Sequence, residues 1–415
     1  MRVRIHRGAS EIGGNCVELE LAGKRLVLDV GRPLDAAPDD HIELPRIDGL
    51  TGGDGTSLLG VVLSHPHQDH YGLADQLHPS VSVYIGRAAA AILEAATFFT
   101  PSGIRLKPTG FLEDRRPFAV GPFTVTPYLV DHSAFDSYAL LIEGGGRRLF
   151  YSGDFRAHGR KASLVKRLCD EPPEDIDVLL LEGTHVRRDG DRAPGPDERE
   201  VELAMAEAFD TTRGLVAVFS STQNIDRLVT VYRACKRAER TLVIDLYTAT
   251  VANATGTDSI PRPGFPRLRV YVPSRQRILV KQSGEFERVN ELRQHRIFLE
   301  EIRERADELV MLIQGSTLPE LARANCLVHA QAIWSLWPGY LDHPSGARLQ
   351  RILLQHDAPL LKLHSSGHAS VAGLQALARA LAPTRVVPIH SSAPERFEEL
   401  LSGVEQHSDG VWWAA

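Results

Sequence analysis

Short apolar runs punctuated by Gly, Pro and Asp fill the first part of the chain, and their pattern predicts β-strands. Arg2–Ile5, Val17–Leu21 and Lys24–Val30 read as antiparallel strands, with a glycine-rich loop, Gly8–Asn15, between the first two. That loop lacks the Lys-Ser/Thr tail of a phosphate-gripping P-loop. A Pro-, Gly- and Asp-rich loop over residues 31–56 leads to Leu58–Leu63, a β-branched run that reads as a buried strand. The Ala-rich stretch Gly86–Phe98 predicts a helix. Strands resume at Phe123–Val130, Tyr138–Glu143, Arg148–Tyr151 and Val178–Leu181, with Gly144-Gly145-Gly146 as a hairpin turn.

The pattern changes near residue 187, where Arg187–Arg199 has the composition of a linker. Beyond it, helices (Asp197–Phe209, Asn224–Ala238 and the charged Arg288–Asp307) alternate with strands (Leu215–Phe219, Thr241–Leu246, Leu268–Val272, Leu309–Ile313). Such alternation implies crossover connections and a parallel, doubly wound sheet. The end of the chain reads as helix Ala347–Gln355, strand Pro359–Leu363, helix Val371–Leu381 and strand Val386–Ile389. A chain of 415 residues is expected to hold two domains. The change of pattern predicts an α/β protein with one domain over residues 1–190 and 350–415, and a second inserted at 191–349.

With 43% hydrophobic and 24% charged residues the composition is globular, which excludes disordered and fibrous classes. A net charge of −6 excludes a globally basic protein and leaves room for a local basic groove. Cys16, Cys169, Cys235 and Cys326 are too scattered for a disulfide framework or a thiolate metal site. No apolar segment of signal-peptide or membrane-spanning length is present, so a cytoplasmic protein without membrane contact is expected.

Candidate chemistry concentrates in Ser64-His65-Pro66-His67-Gln68-Asp69-His70, directly after a buried strand. Three imidazoles and a carboxylate within six residues suit zinc and similar divalent ions. His65 and His67 aim at one ion, and Asp69 with His70 at a second beside it. Further donors stand at other strand ends: His132 after Val130, Asp154 after Tyr151-Ser152-Gly153, and His390 after Ile389. The expected assembly is His65, His67, His132 and Asp154 on one ion, and Asp69, His70, His390 and a bridging Asp154 on the other. Two such ions, Zn²⁺ or else Mn²⁺, would share an open position for water or hydroxide and suit phosphodiester hydrolysis.

This donor set resembles the metallo-β-lactamase superfamily, whose ligands lie on loops at one edge of an αββα sandwich. Leu181-Glu182-Gly183-Thr184, Ser366-Gly367-His368-Ala369 and Pro388-Ile389-His390 are similar to the three additional motifs of its β-CASP nucleases. That branch includes ribonuclease J and the endonuclease that cuts pre-mRNA 3′ ends, and it carries an inserted α/β domain at the place where this chain changes pattern. The resemblance implies a metallo-β-lactamase αββα sandwich with an inserted doubly wound β-CASP domain. It implies a catalytic trio of Asp69, Glu182 and His368, in which Glu182 hydrogen-bonds His368 and His368 acts as general acid. It also makes Asp29 an anchor for a ligating histidine.

In that branch a His at the position of His390 is similar to RNA-processing members, while DNA-processing ones tend to have Val. The implied substrate is therefore single-stranded RNA, cut by exo- or endonucleolytic attack. Single-stranded DNA is the alternative, and a small-ester or lactam hydrolase or a non-catalytic scaffold subunit are more distant ones. Ser221 and Thr222, where a strand runs into a helix, and Ser365 and Ser366, beside His368, are candidate grips for substrate phosphate. No ribonuclease J-type C-terminal domain follows the third motif within the sequence, so assembly, including a homodimer, stays open.

Overall fold

The computed structural model describes residues 1–37, 40–53, 55–100, 103–190 and 195–415. The chain divides into two compact units, the first comprising residues 1–94, 104–194 and 367–415, the second 95–103 and 195–366. Composition alone places the return at residue 350. The strand over Leu360–Lys362 instead joins the second unit's sheet, which carries that unit on to Ser366. Residues 38, 39 and 54 of the long early loop and 191–194 of the expected linker lie outside the described residues.

The first unit opens with β1 (Arg2–Arg7), β2 (Cys16–Leu21), β3 (Lys24–Leu28), β4 (Leu58–Val62), β5 (Val83–Gly86) and β6 (Gly110–Leu112). A second set follows: β7 (Phe118–Val120), β8 (Phe123–Leu129), β9 (Tyr138–Gly144), β10 (Arg147–Tyr151) and β11 (Val178–Glu182). The second unit supplies β12 (Val216–Phe219), β13 (Thr241–Asp245), β14 (Leu268–Tyr271), β15 (Leu309–Ile313), β16 (Gln331–Trp334) and β17 (Leu360–Lys362). The chain then returns to the first unit with β18 (Arg385–Ile389) and β19 (Trp412–Ala414).

Two sheets build the first unit, in the orders β19-β1-β2-β3-β4-β5-β6 and β18-β11-β10-β9-β8-β7. Their facing sides share one core, in which Ile5, Val17, Leu28 and Val62 of one sheet meet Val125, Leu140, Tyr151 and Leu180 of the other. Because side chains alternate along a strand, Val61 and Leu63 point the other way, against Ala89 and Leu93 of helix Arg87–Thr97. Leu141, Phe150 and Leu179 likewise pack against Val165, Leu168, Leu374 and Leu377 of helices Ala162–Asp170 and Val371–Leu381. The result is an αββα sandwich.

Not all of the early strands are antiparallel: β3 pairs with β4, β4 with β5 and β5 with β6 in parallel. β10, β11 and β18 are parallel as well. Long connections before β4, β11 and β18 permit this, so these strands end at one edge of the sandwich. Pro388 sits within β18, an edge strand of its sheet, where a missing N–H is tolerated.

In the second unit all paired strands are parallel, in the order β14-β13-β15-β12-β16-β17. One face buries Ala217, Met311 and Ala332 against Leu318, Leu321, Leu349 and Leu353. The helix expected over Arg288–Asp307 is broken into short turns. Ile297, with its amide bonded to the Val270 carbonyl, is pulled into the core beside β14, and a continuous helix could not deliver it there. Among the described residues no helix is long and apolar enough to cross a membrane.

Candidate metal centre

After β4 the chain makes one extended step and a single helical turn, Gln68–Tyr71. The turn is held from outside by backbone bonds: Asn15 N–H to Asp69 O (3.0 Å), Val30 N–H to His70 O (2.8 Å) and Arg32 N–H to Gln68 O (2.9 Å). A Cβ on Gly31 would stand 1.8 Å from the Asp69 carbonyl oxygen, so only glycine permits this approach. The glycine-rich loop before Asn15 thus ends in a brace for the His-Asp-His turn.

Two groups of donors form, one of His65, His67 and His132, the other of Asp69, His70, Asp154 and His390. Within each group the donor atoms lie within 4.8 Å of one another. All seven residues expected from the sequence are brought together. His132 follows β8 and donates its Nδ1 proton to the Gly367 carbonyl at 2.5 Å, so Nε2 offers its lone pair, 3.0 Å from Nδ1 of His67. Asp154 follows Gly153, which has a φ of +52° and where a Cβ would stand 2.9 Å from the Tyr138 carbonyl oxygen, so both suit glycine. His390 caps β18 in the left-handed region (φ 54°), with its N–H bonded to Gly8 O at 2.7 Å. That conformation is uncommon outside glycine, and it turns the imidazole towards Asp154.

Asp154 stands at the meeting point. Its Oδ2 lies 3.2 Å from His70 Nε2 and 3.7 Å from His65 Nε2, and its Oδ1 lies 3.6 Å from His390 Nδ1. At 3.2 Å the His70 contact is misaligned for a hydrogen bond. Both oxygens of Asp154, Nε2 of His65, Nε2 of His70 and both ring nitrogens of His390 are buried without hydrogen-bond partners among the described residues. Buried polar atoms left unpaired are costly and rare. Here they converge on one small volume, which fits a donor set for divalent cations.

Electrostatics agree with this fit. Burial, reinforced by neighbouring imidazoles, holds His65 and His132 well below the ordinary histidine range. Burial brings His67 down to about 4 against the pull of Asp69 and Asp154, and it lowers His390 as well. These four imidazoles are neutral near pH 7, as metal binding would require. His70 moves the other way, because Asp154 and Asp29 outweigh burial. For Asp154, burial is overcome by His390, His70 and His368, which hold its carboxyl far below the usual range.

Asp29, just past β3 and itself left-handed (φ 59°), anchors the second group. Its Oδ1 accepts from Ser64 N–H (2.7 Å), and its Oδ2 from Ser64 Oγ (2.8 Å), Tyr151 OH (2.7 Å) and His70 Nδ1 (2.7 Å). The bond to His70 Nδ1 fixes the tautomer and aims Nε2 at the donor cluster. Sequence reasoning passed over Ser64, Tyr151 and Gly367 in these roles. Tyr151 ends the apolar run Leu149-Phe150-Tyr151, where nothing separates it from an ordinary core aromatic.

Glu182, at the end of β11, accepts from Thr184 N–H (2.9 Å) and Ala369 N–H (3.0 Å). Its Oε2 is 3.8 Å from His368 Nδ1, an ion-pair distance rather than a hydrogen bond, while Thr184 Oγ1 lies 3.0 Å from that nitrogen. Asp154 Oδ2 is 3.6 Å from the same nitrogen. Burial opposes charge on His368, but Asp154 and Glu182 together push its pKa up to about 9.

Ser221, Thr222, Ser365 and Ser366 belong to the second unit. Ser221 and Thr222 line a cleft of about 940 Å³ beyond the C-terminal ends of β12, β15 and β16, with Gln314, Ser316, Trp334 and Arg348. Asn224, not these hydroxyls, caps the helix that follows, accepting from Arg227 N–H. Thr222 Oγ1 accepts from Gln314 Nε2 (3.0 Å), and Ser365 Oγ is buried with no hydrogen-bond partner among the described residues.

A family model described as beta-lactamase superfamily domain matches residues 34–248. Ribonuclease J of Sinorhizobium meliloti is 27% identical over 216 residues, 49% of this chain and 37% of that protein. Ribonuclease J of Helicobacter pylori is 26% identical over 235 residues, 55% of this chain and 33% of that protein. The chain therefore covers about a third of the length of either relative. Ribonuclease J of Mycoplasma genitalium is 20% identical over 412 residues, 92% of this chain and 66% of that protein. Among solved structures, a protein of unknown function from Enterococcus faecalis matches with a TM-score of 0.79 at 21% identity over 99% of both chains, a likeness of fold.

Proposed function

Because the chain belongs to the metallo-β-lactamase superfamily, on the branch of β-CASP nucleases that holds its ribonuclease J relatives, we propose that it hydrolyses phosphodiester bonds of single-stranded RNA at a pair of divalent cations. The observation that carries this reading is the convergence of unpaired, buried donor atoms in two adjoining groups. His65, His67 and His132 would hold one cation, Asp69, His70 and His390 the other, with Asp154 between them. The nitrogen and carboxylate donors suit Zn²⁺, with Mn²⁺ as the alternative. When bound, the cations supply an activated water and neutralise charge on the phosphate.

The chain's own residues do the rest. Asp29 orients His70 through its Nδ1 proton, and the Gly367 carbonyl does the same for His132. Thr184 Oγ1 holds the Nδ1 side of His368, with the carboxylates of Asp154 and Glu182 nearby, so that its Nε2 carries a proton for the leaving oxygen. Glu182 also ties the loop bearing His368 down through the Ala369 amide. Ser221, Thr222, Ser365 and Ser366 are the proposed phosphate grips of the second unit. Buried Ser365 Oγ, with no partner of its own among the described residues, supports that role best.

The test uses end-labelled 5′-monophosphate RNA and matched single-stranded DNA with Zn²⁺ or Mn²⁺. Cleavage of RNA ahead of DNA is expected, abolished by His65→Ala, while His368→Ala keeps its metal and loses most turnover. Preferential cleavage of DNA would overturn the choice of substrate. A metal-loaded chain that leaves both polymers intact would overturn the reading itself.

A further inference from the structure

Resting on the metal-centre reading above, we infer that the buried pair Asp131–Arg156 is a clamp that sets the separation of the two donor groups, making both residues positioning residues for cation binding. Asp131 immediately precedes His132, and Arg156 follows Asp154 by two residues, so each partner sits on a loop that carries a donor. His132 belongs to one donor group and Asp154 to the other.

The sheet creates the need for a clamp. β8 and β10 are not neighbours, because β9 lies between them. Their ends are two strand spacings apart, roughly 9–10 Å, and no ladder hydrogen bond joins them. The loops must therefore lean across the end of β9 to bring His132 and Asp154 together. Arg156 Nε lies 3.3 Å from Asp131 Oδ1, and the Arg156 N–H donates to the Asp131 carbonyl at 2.7 Å. Asp131 Oδ2 also accepts from Gly159 N–H at 2.7 Å. A Cβ on Gly159 would stand 2.3 Å from both Arg156 Nε and Asp131 Oδ1, so glycine leaves the room this closure needs. Lys161 Nζ adds a bond to the His132 carbonyl at 3.2 Å.

Stability alone is a poor reason for the pair. Both side chains are fully buried, and the cost of desolvating two charges makes an apolar pair of similar volume about as stable. An apolar pair cannot reproduce the directional bonds that fix both loops, so geometry is what the ions add.

The test compares the full chain with Arg156→Met, Arg156→Lys and the apolar double variant Asp131→Leu/Arg156→Met. Each is stripped of metal and titrated with Zn²⁺ against a competing chelator, with bound ions counted by mass spectrometry. Melting of the metal-free proteins is followed by circular dichroism. The clamp predicts zinc affinity 10- to 100-fold weaker in Arg156→Met and in the double variant, with Arg156→Lys in between. It also predicts that the double variant, though it loses the Gly159 N–H bond, melts metal-free no lower than Arg156→Met, in which the buried Asp131 carboxylate keeps its charge without the guanidinium. Should Arg156→Met fail to fold, the other two variants carry the comparison. Parental zinc affinity in the double variant, with or without a change in melting, would overturn the clamp and leave the metal centre standing. A parent chain that takes up no divalent ion would instead overturn the metal centre.

Discussion

Replacing Asp29 with asparagine isolates what one carboxylate contributes to the candidate centre. Asparagine tolerates the left-handed backbone that Asp29 adopts, so the change adds little strain and acts on the charge and its acceptors. In the parent, four donors converge on the two oxygens, three of them on Oδ2. In the least costly pose, the introduced side chain keeps its oxygen at the Oδ2 position and turns its amide group towards the Ser64 N–H. That loses one buried charge-assisted bond, worth about 1.5–3 kcal/mol, and sets two donors face to face. The bonds from His70 and Tyr151 weaken from ionic to neutral ones, costing roughly another 1–2 kcal/mol. The total, about 2.5–5 kcal/mol, is a large part of the ~5–15 kcal/mol that holds a typical domain together. Urea unfolding of the metal-free proteins measures it, and zinc titration should show affinity lower by about 10- to 100-fold as His70 loses its orientation. An Asp29→Asn protein that unfolds within ~1 kcal/mol of the parent and binds zinc as tightly would refute the anchoring role.

Three further outcomes follow from other parts of the first unit. Burial would raise the pKa of Glu18, but hydrogen bonds from His6, Arg4 and Arg25 bring it from 4.5 down to about 2. A depressed carboxylate stabilises the fold above its unfolded pKa and loses that contribution as pH falls through the folded one. Glu18 should therefore give about 3 kcal/mol that is complete above pH ~4.5 and gone below ~2, and Glu18→Gln should flatten that segment of a stability-versus-pH curve. Gly31→Ala should destabilise by about 3 kcal/mol or more, because its methyl meets the Asp69 carbonyl, and thermal melting reads this directly. Thr184→Val should leave the bound-metal count unchanged while lowering kcat about 10-fold, since it releases His368 without touching a donor; an unchanged kcat would remove Thr184 from the proton pathway.

Much of the site was legible because ligand-type residues stand directly after apolar runs, and parallel strands ending at one edge gather such residues. His65, His132, Asp154 and His390 all follow that rule. Of what supports them, Asp29 was legible through the family resemblance and the rest was not. Tyr151 and Asp131 reach their partners, Asp29 and Arg156, across strands whose pairing the hydrophobic pattern does not specify. The strands read as antiparallel, β1 to β3, do pair so, but nothing in the pattern told that β4 joins β3 in parallel, since alternation marks a strand and not its neighbour's direction. Charges at helical spacing made Arg288–Asp307 read as one helix, although the apolar pair Ile297-Phe298 interrupts it. Glu182 and His368 stand in the expected vicinity, but the hydroxyl of Thr184 lies closer to the imidazole Nδ1 than the Glu182 carboxylate does.

The position of β18 bears on how the protein is made. Synthesis runs from the N-terminus, and domains fold as they emerge. His65, His67 and His132 are available once the strands up to β10 have left the ribosome, whereas His390 arrives only after the whole second unit has been synthesised. A nascent chain thus offers six of the seven donors for an extended interval, Asp69, His70 and Asp154 with the three imidazoles, and the second group closes when β18 docks on β11 and the His390 amide reaches Gly8. Maturation of this centre is ordered in time by the chain's own topology, with one donor, His390, arriving last.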